Sequence, residues 1–181
     1  MNLPAQQAGG DVVLTCRRYE VKLLDTGCGT LSRMSDTPVL TIRHWIATTP
    51  EKVWEAYTTP QLFHQFFSPE GLSIPIETVV LEVWPGGRCE CVMVFDETGE
   101  ESPNIGIFTE VEKPHRLVGA EPSLNFSSTQ LFDNDGDGTL ITIIQSGLPE
   151  EIVTNPEVRE AFRSSFRKLG RLLGVSTENR D

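Results

Sequence analysis

Apolar residues Val158, Phe162, Phe166, Leu169, Leu172 and Leu173 recur three or four positions apart, while Arg159, Arg163, Arg167, Lys168 and Arg171 fall mostly off that stripe. This spacing predicts an amphipathic helix over residues 155–173, with one face that must be covered. Its ends are marked: Asn155 is a good cap, Pro156 suits the first turn, Glu157 complements the positive end of the dipole, and Gly174 supplies the stop. Upstream the period changes. Residues 39–46 alternate, with Leu40, Ile42, His44 and Ile46 on one side, as a half-buried strand does. Thr48 and Glu51 then have the spacing of a capping box, and Pro50 opens a short helix carrying Val53, Trp54 and Tyr57. A second short helix starts at Pro60, carries Leu62, Phe63, Phe66 and Phe67, and closes at Pro69 and Gly71. Strand patterning follows over residues 76–84, 88–95, 105–112, 116–120, 125–132 and 139–146. Turns are expected at Pro85-Gly86-Gly87, at 96–101, at Pro114 and in the acidic loop 133–138. The order predicts an α+β protein: a curved antiparallel sheet of about six to seven strands wrapped around a long C-terminal helix, with two short helices after the first strand.

With 181 residues and 38% apolar content the chain can bury a sizeable core as one domain. Residues 38–174 carry the patterning. Residues 1–37 read as an N-terminal extension, either unstructured or an extra hairpin built from 12–16 and 19–24, with Met34 as one candidate natural start; residues 175–181 read as a tail. A formal net charge of −11, spread along the chain, argues against nucleic acid as a partner. No run approaches the roughly 18 apolar residues that span a bilayer, and no secretory pattern opens the chain, so neither a membrane nor secretion is expected and the location is read as cytoplasmic. The four cysteines, Cys16, Cys28, Cys89 and Cys91, are too few for a disulfide framework and are expected as reduced thiols.

Several patterns resemble chemical sites and each has a structural reading beside it. Asp133, Asp135, Asp137 and Gly138 mimic the start of a calcium loop, but its twelfth position would be Ile144 and the flanks are strand-like, which favours a polar hairpin turn. Cys89 and Cys91 share a strand face with Met93; a metal there would need ligands from His44, His64 or His115, and core or cavity packing is the preferred reading. No glycine-flanked serine elbow occurs, and Gly86-Gly87 precedes a strand, so neither a nucleophile nor a phosphate cradle is indicated. Glu82 would serve as an acid or base only if it faced an apolar pocket; the solvated reading is preferred. Trp54, Tyr57, Phe63, Phe66 and Phe67 form an aromatic cluster over the two short helices.

The segment Ile46-Ala47-Thr48-Thr49-Pro50-Glu51-Lys52-Val53-Trp54-Glu55-Ala56 resembles the opening of the START-related helix-grip superfamily (SRPBCC), in the branch named after the activator of a heat-shock protein's ATPase. Thr59-Pro60-Gln61-Leu62, Pro85-Gly86-Gly87, Gly99, Gly106, Val111, Pro114, Arg116 and Leu117 continue the resemblance in register, and residues 139–147 with the final helix complete it. Where that branch usually has tryptophan, this chain has Phe66 and Phe162. The resemblance implies a cavity between sheet and helix suited to a small apolar molecule, but no shared catalytic constellation, cofactor or metal. The cavity lining is expected from His44, Trp54, Phe66, Phe67, Cys89, Cys91, Met93, Phe162 and Phe166. A ligand-binding protein with no built-in catalytic centre is thus the leading expectation. An enzyme of polyketide cyclase or hydrolase type and a co-chaperone with a chaperone partner are its rivals.

Overall fold

The computed structural model describes residues 38–181; the strand pieces at 12–16 and 19–24, Met34, Cys16 and Cys28 lie outside the described residues. Strand β1 is Leu40–Ile46, followed by helices α1 (Pro50–Thr58) and α2 (Pro60–Phe66). Helix α1 is capped by Thr49 rather than Thr48, and without a side-chain cap bond. Thr48 is instead drawn into the core, where its carbonyl accepts a 2.6 Å bond from the Thr139 hydroxyl, so the expected capping box does not form.

The chain then enters the sheet through β2 (Leu72–Ser73), β3 (Val80–Leu81), β4 (Arg88–Phe95), β5 (Glu101–Glu112), β6 (Arg116–Glu121), β7 (Phe126–Asp135) and β8 (Gly138–Ser146). The continuous strand expected over 76–84 is absent. A 3-10 turn, Ile76–Thr78, takes its first half, because the Thr78 hydroxyl donates to the Pro75 carbonyl and accepts from the Val92 amide. At the next turn Gly86 has φ 91°, and a Cβ on Gly87 would lie 1.9 Å from the Glu82 carbonyl oxygen, so the chain passes itself here only because Gly87 has no side chain. The acidic loop closes as a hairpin in which Asp135 pairs with Gly138 around Gly136 at φ 64°.

A short helix α3 (Glu150–Val153) leads into α4 (Pro156–Leu173), the long helix expected from the sequence. Asn155 caps it by accepting from the Glu157 amide at 2.8 Å, and Gly174 ends it at φ 67°. The residues after Gly174, read as a tail, include β9 (Thr177–Asn179), which pairs with β1. All pairings are antiparallel, in the order β2-β4-β5-β6-β7-β8-β1-β9, with β3 also on β4; the nine strands make an open sheet. A bulge between Phe108 and Glu110 shifts the β5–β6 register, and bulges of this kind increase local twist and bend. The core sits where α1 and α4 meet the concave face, around Leu40, Ile42, Val53, Phe132, Ile141, Phe166 and Leu169.

Candidate functional site: a cavity under the long helix

Strand alternation decides what faces α4. On β7 and β8 the paired inward positions run from the core outward as Phe132 with Ile141, Gln130 with Ile143, and Ser128 with Gln145. Across β6 the partners of Gln130 and Ser128 are Leu117 and Gly119, and across β5 and β4 the row continues through Phe108, Gly106 and Cys89. Four inward positions near the middle of the sheet are therefore small: Cys89, Gly106, Gly119 and Ser128. A Cβ on Gly119 would meet nothing closer than 4.0 Å, so open space begins at its Cα. A rigid helix cannot sag to fill such a gap. The result is a cavity of about 340 Å³ between the sheet and α4.

Phe162, Ser165 and Phe166 of α4 form its roof, and Tyr57, Phe63, Phe66 and Phe67 of the two short helices close one end. The aromatic end is well packed, with Phe63 stacked on Phe67 at 4.1 Å and Tyr57 tilted against Phe132 at 5.0 Å. The mouth is framed by Pro103 and Ile105 of β5, Glu121 and Leu124 at the β6–β7 turn, and Leu148 and Ile152 before α4. Ile105 and Leu124 are exposed apolar residues at this rim.

Of the residues expected to line a cavity, Phe66, Phe67, Cys89, Met93, Phe162 and Phe166 border this one. His44, Trp54 and Cys91 do not. His44 is buried on β1 beneath α4, its ring stacked on Phe166. Trp54 is in the core with its ring nearly perpendicular to that of Phe132. Cys91 belongs to a second cluster with Phe63, Ile74 and Met93, and its sulfur accepts a long contact from the Asn104 amide. Alternation put Cys89 and Cys91 on one face correctly, but one lies under the gap and the other under the loop 74–81. Sequence reasoning missed Gly106, Gly119, Ser128, Gln130 and Gln145. A glycine or polar side chain at an inward strand position between apolar ones was the available signal.

Burial pushes the Cys89 thiol up to about 12, with Cys91 and Glu90 adding to the effect, and burial pushes Cys91 up to about 11. Both stay protonated at neutral pH, which makes them poor nucleophiles. Burial lowers the His44 pKa to about 4. Glu82 grips Arg88 through both carboxylate oxygens, at 3.2 Å each, and also accepts from the Arg88 amide; these bonds hold it below the usual carboxylate range, on the surface. His64 and His115 each contact a backbone carbonyl, of Ile74 and Phe132. Among the described residues no three His, Cys, Asp or Glu side chains group as a metal site.

A comparison with curated proteins yields no match. Among solved structures, a protein from Rhodobacter sphaeroides superposes with a TM-score of 0.68 at 24% identity, covering 76% of this chain and 92% of that one. One from Nitrosomonas europaea gives 0.67 at 23% identity, covering 75% and 94%. An AHSA1-like protein from Aeromonas hydrophila gives 0.62 at 19% identity, covering 75% and 92%. These likenesses establish the helix-grip fold. The family model described as Activator of Hsp90 ATPase homolog 1-like protein matches residues 47–174, from the turn after β1 to the end of α4, and the chain belongs to that family.

Proposed function

We propose that the protein binds a small, largely apolar molecule between α4 and the sheet and does not itself react with it. The observation that carries this reading is the row of small inward residues Cys89, Gly106, Gly119 and Ser128 beneath a continuous helix, which leaves about 340 Å³ bordered by aromatic and aliphatic side chains. A ligand there gains roughly 25 cal/mol for each Å² of apolar surface it removes from water. Glu82, weighed for acid–base work, is held away from the cavity in an ion pair, and His44, expected in the lining, lies in the core, which supports binding over a cyclase or hydrolase activity. The free thiols Cys89 and Cys91 suit a reducing compartment, and the reading places the protein in the cytoplasm. In this reading the ligand-binding unit is residues 38–181, because β9 is part of the sheet.

Titration with a neutral environment-sensitive dye tests the reading. Saturable binding by the wild type, lost in Gly119→Leu and in Cys89→Phe with cooperative melting retained, is expected. Undiminished binding by the folded variants contradicts it. The family's description supports a second reading, contact with a chaperone ATPase, which predicts an interaction that survives filling of the cavity.

A further inference from the structure

The cavity wall carries one polar feature that an apolar ligand leaves unused. Ser128, Gln130 and Gln145 all border the cavity, where β7 and β8 lie side by side. The side-chain amides of Gln130 and Gln145 both donate to the Ser128 hydroxyl oxygen, at 2.8 and 3.4 Å. Two incoming bonds fill the two acceptor positions of that oxygen, so its own O–H is left to donate. No acceptor among the described residues takes it. The amide oxygens of the two glutamines are likewise without a donor among the described residues.

This group sits partway down the wall. Toward the core it is followed by Phe132 and Ile141, and toward the mouth by Phe126. Its neighbours across the sheet, Gly119 and Leu117, bring no competing polar side chain. Among the described residues no Lys or Arg borders the cavity, and Glu121 at the mouth is its only acidic residue. A carboxylate or phosphate entering here would lose its hydration with no cation to meet it and would pass Glu121 on the way.

We propose that Ser128, oriented by Gln130 and Gln145, is the polar anchor of the ligand site and selects an uncharged molecule whose apolar body carries a carbonyl oxygen able to accept the Ser128 O–H. The oxygen is held at the β7–β8 side and the apolar body extends toward Phe66 and Phe166. This rests on the ligand-binding reading above and specifies the class of molecule bound.

Three matched probes separate the outcomes: acetylnaphthalene, its hydrocarbon isostere isopropenylnaphthalene, and naphthoate, each titrated into the full chain by calorimetry or dye displacement. The ketone should bind about three- to tenfold more tightly than the hydrocarbon, the range of one net hydrogen bond, and the carboxylate more weakly than either. Ser128→Ala should erase the preference for the ketone and leave hydrocarbon binding unchanged, which also shows that the variant is folded. Equal binding of ketone and hydrocarbon, a preference that survives Ser128→Ala, loss of hydrocarbon binding along with it, or tighter binding of naphthoate overturns the anchor while leaving an apolar cavity in place. Failure of all three probes to bind the wild type overturns the ligand-binding reading and the anchor together.

Discussion

The His44 imidazole lies flat against the Phe166 ring, with centroids 4.6 Å and planes 11° apart, and neither of its nitrogens has a hydrogen-bond partner among the described residues. Desolvation is the main cause of its lowered pKa of about 4; Arg163 and Arg167 on α4 lower it further, while Asp181 and Glu178 oppose them. The unfolded chain takes up this proton near 6.5, the native protein only near 4. Stability from a neutral buried His44 is therefore complete above about pH 6.5 and falls as pH drops toward 4. By pH 5 the loss should be about 2 kcal/mol. Denaturant titrations of the wild type and His44→Leu should show the variant gaining on the wild type by that order between pH 7 and pH 5. A constant difference contradicts the assignment.

Phe162 and Phe166 are four residues apart on α4 but are not equivalent. Phe166 is buried in the core, whereas Phe162, expected to be buried in place of a family tryptophan, is only half-buried because its inner side faces the cavity. Phe166→Ala should cost about 3–5 kcal/mol. Phe162→Ala should cost roughly half as much, since it enlarges a space already present. Equal losses in denaturant titration would mean that Phe162 is packed.

Much of this fold was legible because local signals agreed. For α4 the apolar period, the Asn155 cap and the Gly174 stop all pointed to the same helix. Strand β1 was equally plain, with Leu40, Ile42, His44 and Ile46 buried in alternation. The run 76–84 is strand only at Val80 and Leu81; its first half was misread because the bonds of Thr78 that make a turn connect it to Pro75 and Val92. The cavity itself was half legible. Alternation gives the face of a residue but not which part of that face a helix covers, so Cys89 and Cys91 could not be told apart. The same limit of alternation places His44 among the expected cavity residues. The polar wall was missed because hydrophobic patterning passes over inward glycines and amides.

Glycine substitutions separate crowding from open space. A Cβ on Gly87 would collide with backbone at Glu82, so Gly87→Ala should cost on the order of 1–3 kcal/mol or more. Gly119→Ala points into the cavity and should be neutral or stabilising by up to about 1 kcal/mol, because strand glycine carries an entropic cost. Thermal melts of the two variants check the contrast.

Lys168 and Arg167 are neighbours with different work. The Lys168 ammonium donates to the Ser68 carbonyl at 2.9 Å and to its hydroxyl at 3.0 Å, tying α4 to the chain just past α2. Arg167 makes exposed ion pairs with Glu160 and Glu70. Lys168→Ala should cost about 1–3 kcal/mol, as for removing a charged partner from a polar group sheltered from solvent. Arg167→Ala should cost under about 1 kcal/mol and less still in high salt. Urea titrations at low and high salt distinguish them.

On the proposed reading the space beneath α4 is a ligand site. Anomalous diffraction from crystals grown with a neutral iodinated naphthalene reads it directly. An iodine peak enclosed by Phe66, Gly119 and Phe166 and absent in Gly119→Leu is the predicted result. A saturating probe that leaves this space empty, or appears only on the outer surface, contradicts the account.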